Sequence, residues 1–122
     1  HVSWHATVHY AGYDVPSTLH LPADRVGWHA GHKRINACSI GVELDAATSG
    51  DVHAPYDGGT IEELGRLVES WRAICPQLQY CVGHADIVPR RRSDPGRRFP
   101  WQALDALGLE RLDHETLALA WS

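Results

Sequence analysis

No run in this sequence approaches the roughly 20 consecutive apolar residues that a helical membrane span requires, so membrane insertion is excluded. A basic excess is missing too. Eleven Lys and Arg stand against fifteen Asp and Glu, a formal charge of −4, whereas bulk nucleic-acid binding rests on a net basic face. Cysteine is scarce: Cys38, Cys75 and Cys81 do not make a disulfide framework, and only a Cys75–Cys81 pair stays open. Repeats, low-complexity tracts and linker-like stretches are absent, so 122 residues make one domain of ordinary size. The signature of disorder is lacking as well. Hydrophobic residues make up 43% of the chain, with five Trp and four Tyr among its residues.

What is present is unevenly spread. Five of the eleven cationic side chains fall in "GHADIVPRRRSDPGRR" (83–98), while acids gather over 43–69 and 105–115. Nine histidines in so short a chain invite a search for metal or proton-transfer chemistry.

"VSWHATV" (2–8) alternates and is rich in β-branched and aromatic residues, which predicts a strand. "HYAGYD" then turns the chain into a second short strand, "VPSTLHL", making a hairpin. "PADRVGWHAGHKRIN" (22–36) has no periodicity and is expected to be a long loop. The continuous apolar run "ACSIGVELD" suits a central, buried strand. From Thr60 the period changes to helical. Thr60 and Glu63 form a capping box, Ile61, Leu64, Leu67, Val68, Trp71 and Ile74 share one face, and Pro76 stops the helix. "QLQYCVGH" (77–84) is expected to be a third apolar strand, the arginine-rich segment a loop, and "PWQALDALGLERL" (100–112) a helix begun by Pro100. A last short helix covers about 113–120. The order β-β-loop-β-α-β-loop-α describes an α/β domain around a mixed central β-sheet flanked by helices.

Several residues are candidates for chemistry. Glu43 lies in an apolar strand and reads either as an exposed strand-end acid beside Asp45 or as a buried carboxyl suited to general-base work. His84 and Asp94, ten residues apart, are zinc ligands by type, though the pair alone is a weak signal. Asp86 suits the task of stabilising this loop or holding the His84 ring. Arg90, Arg91, Arg92, Arg97 and Arg98 make either a solvated loop or a grip on carboxylates and a developing oxyanion. "WHAG" (28–31) is either loop packing or a ligand contact.

In combination, "VSWHATV", "LPADRVGWHAG", "RINACSIGVEL" and "GHADIVPRRRSDPGRRFPW" resemble the zinc-dependent N-acetylmuramoyl-L-alanine amidases, whose fold is shared with the peptidoglycan recognition proteins. The resemblance runs from Val2 to about Leu107. It implies hydrolysis of the amide between N-acetylmuramic acid and L-alanine by zinc-activated water, with peptidoglycan or muramyl-peptide fragments as partners. His84 and Asp94 match two zinc ligands, and Glu43 matches the strand glutamate that moves the proton. Arg92 stands where relatives carry a lysine for the tetrahedral oxyanion. Arg34 matches a position that binds a stem-peptide carboxylate, and Trp28, His29 and Asn36 match groove residues. The implied settings are the cell wall, the periplasm, the exterior or phage lysis, with cytoplasmic recycling of wall fragments as the other.

One departure matters. The family's first zinc ligand is a histidine on a strand upstream of "VSWH", and this sequence begins one residue before that motif. A single amidase-like domain over residues 1–122 is therefore expected, N-terminally incomplete relative to the family. Catalytic zinc normally has three protein ligands plus water, so the chain alone is expected to be weak or inactive. Water, His5 or a neighbouring chain is left to complete the set. A non-catalytic muramyl-peptide binding module on the same fold is the alternative.

Overall fold

A computed structural model describes residues 4–10, 12–30, 33–45, 56, 58–88, 95–96 and 99–121. The expected hairpin is present. Strand β1 (Ala6–Val8) runs antiparallel to β2 (Ser17–Leu19), with Thr7 opposite Thr18. Strand β3 (Val42–Leu44) joins the other side of β1 in parallel, pairing Thr7 with Glu43, so the sheet is mixed with the order β2-β1-β3. This corrects the placement of β3. Among the described residues it is an edge strand and partly exposed, and β1 is the central strand, buried throughout.

Alternation sorts the sheet into two faces of opposite character. Ala6, Val8, Val42 and Leu44 point to one face and pack on Leu67 and Trp71 of helix α2 (Gly58–Ile74). The row of the other parity, His5, Thr7, His9, Thr18, His20, Glu43 and Asp45, forms a polar face rich in imidazole. Most of its groups are tied together. Trp4 donates to the Thr7 hydroxyl at 2.8 Å, and that oxygen meets His20 Nε2 at 2.8 Å. His9 donates from Nδ1 to Asp45 at 3.3 Å, and its Nε2 meets the Thr18 hydroxyl at 2.7 Å.

The period-3.6 pattern gave α2 correctly except at its start. The helix begins at Gly58, so Thr60 lies inside the first turn and is buried rather than capping it. Glu63 is not part of a box with Thr60, because its oxygens take the Ser17 hydroxyl from β2 and the Arg66 guanidinium. Ile74 closes the helix before Pro76 but is exposed. Leu64 and Val68 form a second cluster with Phe99, Leu104 and Leu109, which Val42 and Leu44 also border. The helix is thus the shared wall of two apolar clusters.

Three further expectations are corrected. The end of the anticipated loop and the first residue of the run after it form helix α1 (Lys33–Ala37), stabilised by burial of Ile35 and Asn36 rather than by any periodic pattern. The strand expected over 77–84 shrinks to β4 (Tyr80–Cys81), which among the described residues pairs with β5 (Glu110–Arg111), in parallel, in a separate two-stranded sheet. His84 therefore opens the short helix α3 (His84–Ile87) instead of ending a strand. The helix expected over 100–112 stops early: α4 is Trp101–Asp105, with Pro100 at its N-cap. Gly108 at φ 77° adopts the left-handed conformation that reverses the chain into β5. Helix α5 (His114–Trp121) matches the expected terminal helix. All three cysteines are free, which closes the Cys75–Cys81 alternative. No helix is long and apolar enough to cross a membrane among the described residues.

The contact between hairpin and helix carries a pH prediction. The Ser17 hydroxyl, ahead of burial and Arg66, sets the balance that holds the Glu63 carboxyl below its ordinary value. A carboxyl lowered in the folded state adds stability above its unfolded pKa and loses it as pH falls through the folded one. Ser17→Ala is expected to cost about 1.5–3 kcal/mol at pH 7, the range for a hydrogen bond to a charged group. The deficit should narrow below the ordinary glutamate range, and urea midpoints taken at both pH values check it.

Candidate active site

His5, His29 and Gly41 occupy one corner beside the polar sheet face. The His5 ring is fully buried and both its nitrogens are engaged. Gly41 N–H donates to Nδ1 at 3.0 Å, so the proton resides on Nε2, which donates to the Arg25 carbonyl at 2.7 Å. With no lone pair to spare, His5 is closed as a third metal ligand. Its ring sits edge-on to His29, with centroids 5.5 Å apart.

Asn36 builds the turn that presents His29. It is buried, and its side-chain oxygen accepts from the backbone N–H of His29 at 3.1 Å and of Ala30 at 2.8 Å. Close packing does the rest, since a Cβ on Gly41 would fall 2.4 Å from the His29 ring. Nε2 of His29 is buried without a hydrogen-bond partner. The Ser39 backbone favours a proton on the ring, and a neutral ring protonated at Nδ1 carries a lone pair on Nε2. Burial, then the charges of His5 and His84, push His29 below its ordinary pKa against the pull of Ser39.

His84 begins α3 directly after β4. Gly83, the N-cap, has no room for a side chain, because a Cβ would lie 2.6 Å from Pro95 and 3.3 Å from Trp101. Asp86 closes this turn. It is buried, accepts the Gly83 N–H at 2.8 Å and is gripped by Arg111 from β5. Asp86 thus stabilises the loop, one of the two tasks expected of it. Behind the turn stands an aromatic row, Tyr56 against Phe99 and Phe99 against Trp101 at 5.3 and 4.7 Å, with the Tyr56 hydroxyl donating to Pro95 carbonyl oxygen. The neighbouring Cys81 thiol is pushed up to about 11 by burial, so it stays protonated and is no nucleophile.

The structure therefore brings His29 and His84 into mutual influence and puts Asn36 beneath the former. Glu43 shares the polar sheet face with His5 but is exposed, so the reading in which burial tunes this carboxyl is corrected. Its β-strand is at the sheet edge among the described residues. Trp28 is half exposed and Arg34 exposed on α1. Arg92 and Asp94 lie outside the described residues, as do Arg90, Arg91, Arg97 and Arg98. No three His, Cys, Asp or Glu side chains come together as a metal cage among the described residues. Donor chemistry suited to a cation is nonetheless present, in the His84 imidazole and the unpartnered His29 nitrogen. Sequence reasoning missed Arg111, which no local motif marks, and gave Trp101, the last residue of the quoted motif, no role.

Residues 1–97 match the family model described as N-acetylmuramoyl-L-alanine amidase. The chain belongs to this family. Among curated relatives, an amidase family member named 1,6-anhydro-N-acetylmuramyl-L-alanine amidase AmpD, from Enterobacter cloacae, is 31% identical over 79% of this chain and 53% of its own length. N-acetylmuramoyl-L-alanine amidase AmiD of Escherichia coli is 35% identical over 73% of this chain and 37% of its own. The chain thus spans about half or less of these relatives. The solved AmiD structure, a complex with anhydro-N-acetylmuramic acid-L-Ala-D-γ-Glu-L-Lys, superposes with a TM-score of 0.70 at 33% identity, covering 89% of this chain and 49% of that one. AmpDh3 of Pseudomonas aeruginosa, in complex with an anhydromuramic pentapeptide, gives 0.70 at 27% identity, with 90% and 51% covered. The amidase fold expected from the motifs is the fold found.

Proposed function

We propose that the protein is a zinc-dependent peptidoglycan amidase that cleaves the bond between N-acetylmuramic acid and L-alanine. The observation that carries this reading is the family match over residues 1–97, which takes in Trp28, Glu43, His84 and Asp94 together. The muramyl peptides bound by the two solved relatives support the substrate class.

His84 and Asp94 would hold the zinc, and the buried, unpartnered Nε2 of His29, a ring on which His84 acts electrostatically, is a further nitrogen donor. Zinc in that place would acidify water and polarise the amide carbonyl. Glu43 takes the proton from the attacking water on a carboxylate oxygen. It then delivers that proton to the alanyl nitrogen as the C–N bond breaks, leaving the acid on the muramyl lactyl group. Arg92 would supply positive charge to the oxygen that turns negative in the tetrahedral state. Arg34 holds a stem-peptide carboxylate, Trp28 offers an exposed ring to the muramyl-peptide, and Asn36 serves by fixing the turn that carries Trp28 and His29.

Release of dye from labelled cell wall, with and without a chelator, tests this. Release should stop on chelation and return with added zinc. Release that survives removal of metal rejects the zinc mechanism, and wall binding without release favours the non-catalytic module.

A further inference from the structure

The family match ends at residue 97, yet the turn that presents His84 is held from beyond it. Arg111 lies between two partners. Its guanidinium sits 4.1 Å from the centroid of the Trp101 ring, and it forks onto Asp86, Nη2 to Oδ1 at 2.9 Å and Nε to Oδ2 at 3.2 Å. The same Oδ2 accepts Gly83 N–H at 2.8 Å, immediately before His84. His114, at the start of α5, reaches the Asp86 carbonyl through Nδ1 at 3.0 Å. The pairing of Cys81 with Arg111, and the Leu112 N–H bond to Cys81 carbonyl oxygen at 3.0 Å, fix β5 against the strand that leads into the turn.

Two-point contact is the relevant feature. A carboxylate held by one bond can pivot, whereas a planar guanidinium bound to both oxygens fixes its plane. Here the plane of Asp86 sets the Gly83 amide and with it the first turn of α3, where His84 sits. The aromatic ring under Arg111 holds the fork in place from the other side.

We propose that Arg111 is a positioning residue for His84, acting through Asp86 to hold the imidazole in the orientation that metal binding requires. This rests on the proposed metal role of His84. Partners that orient a metal ligand commonly contribute 10- to 100-fold to affinity.

The test compares Arg111→Met, Arg111→Lys and His84→Ala in the intact protein. Zinc affinity is read by competition with a chromophoric chelator, and ligand geometry by the visible spectrum of the cobalt-loaded form. Arg111→Met should bind zinc about 10- to 100-fold more weakly, with an altered cobalt spectrum. Arg111→Lys keeps the charge over Trp101 but loses the fork, and should show a smaller loss in the same direction; it carries the test if Arg111→Met does not fold. A purely structural role would lower the unfolding temperature and leave the cobalt spectrum of the folded protein unchanged. Parental affinity and spectrum in the arginine variants, with both lost in His84→Ala, overturn the proposal alone. Parental affinity in His84→Ala overturns the metal reading and the proposal with it.

Discussion

Replacing Glu43 by glutamine should lower kcat for muramyl-peptide hydrolysis by about 10²- to 10⁴-fold, the range that a positioned proton carrier supplies. KM should change little, because glutamine keeps the size and polarity of the side chain and removes only its ability to take a proton. The ladder fixes which way this residue points. Glu43 pairs with Thr7 across the β1–β3 ladder and points to the polar face, while Val42 and Leu44 on either side point into the core. An amide at position 43 therefore disturbs no apolar packing, and the urea midpoint of the variant separates an activity loss from a folding loss. Asp45, two residues on and on the same face, is the natural control. It accepts from His9 at 3.3 Å, and its backbone N–H bonds Val8 carbonyl oxygen. Asp45→Asn should keep a kcat near the parent's. Product formation followed by chromatography on a muramyl tripeptide distinguishes the two, and a parental kcat in Glu43→Gln would move the proton transfer to another group.

What could be read from the sequence follows the length scale of its causes. The hairpin and α2 were legible because each is dictated by a local period, two for β1 and 3.6 for Leu64, Leu67, Val68 and Trp71. Helix α1 was not, since five residues are too few for periodicity and its reason for forming is the burial of Ile35 and Asn36 against other parts of the chain. β5 was missed for a similar reason, being two residues that alternate with nothing, and β4 was foreseen only as part of a longer strand. The apolar run around β3 promised a central strand, but two of its residues reach the core from an edge. For the candidate site, residue types alone were a weak signal, and it was the combined motifs that singled out Glu43 and His84. What supports them was invisible: the double engagement of His5 spans 20 and 36 residues, and the Arg111 grip on Asp86 spans 25.

Trp71→Ala should cost about 3–5 kcal/mol of stability, the usual range for removing a buried aromatic from a packed core. Only 6% of Trp71 is exposed, and it belongs to the cluster formed with Ala6, Val8 and Leu67. Ala23, Ile40, Val42, Leu44 and Leu78 pack around the edge of that cluster, so no single neighbour can move in to fill the space. The ring is also the main apolar link between α2 and the sheet whose other face carries Glu43. Small domains have about 5–15 kcal/mol in total, so a loss of this size removes a large share of it. The urea midpoint should fall by a corresponding amount with the m-value unchanged. Ile74→Ala on the same helix gives the contrast: that side chain is 65% exposed and should cost well under 1 kcal/mol. If the two variants were equally destabilised, the apolar seam between α2 and β1 would not be what holds the polar face in place.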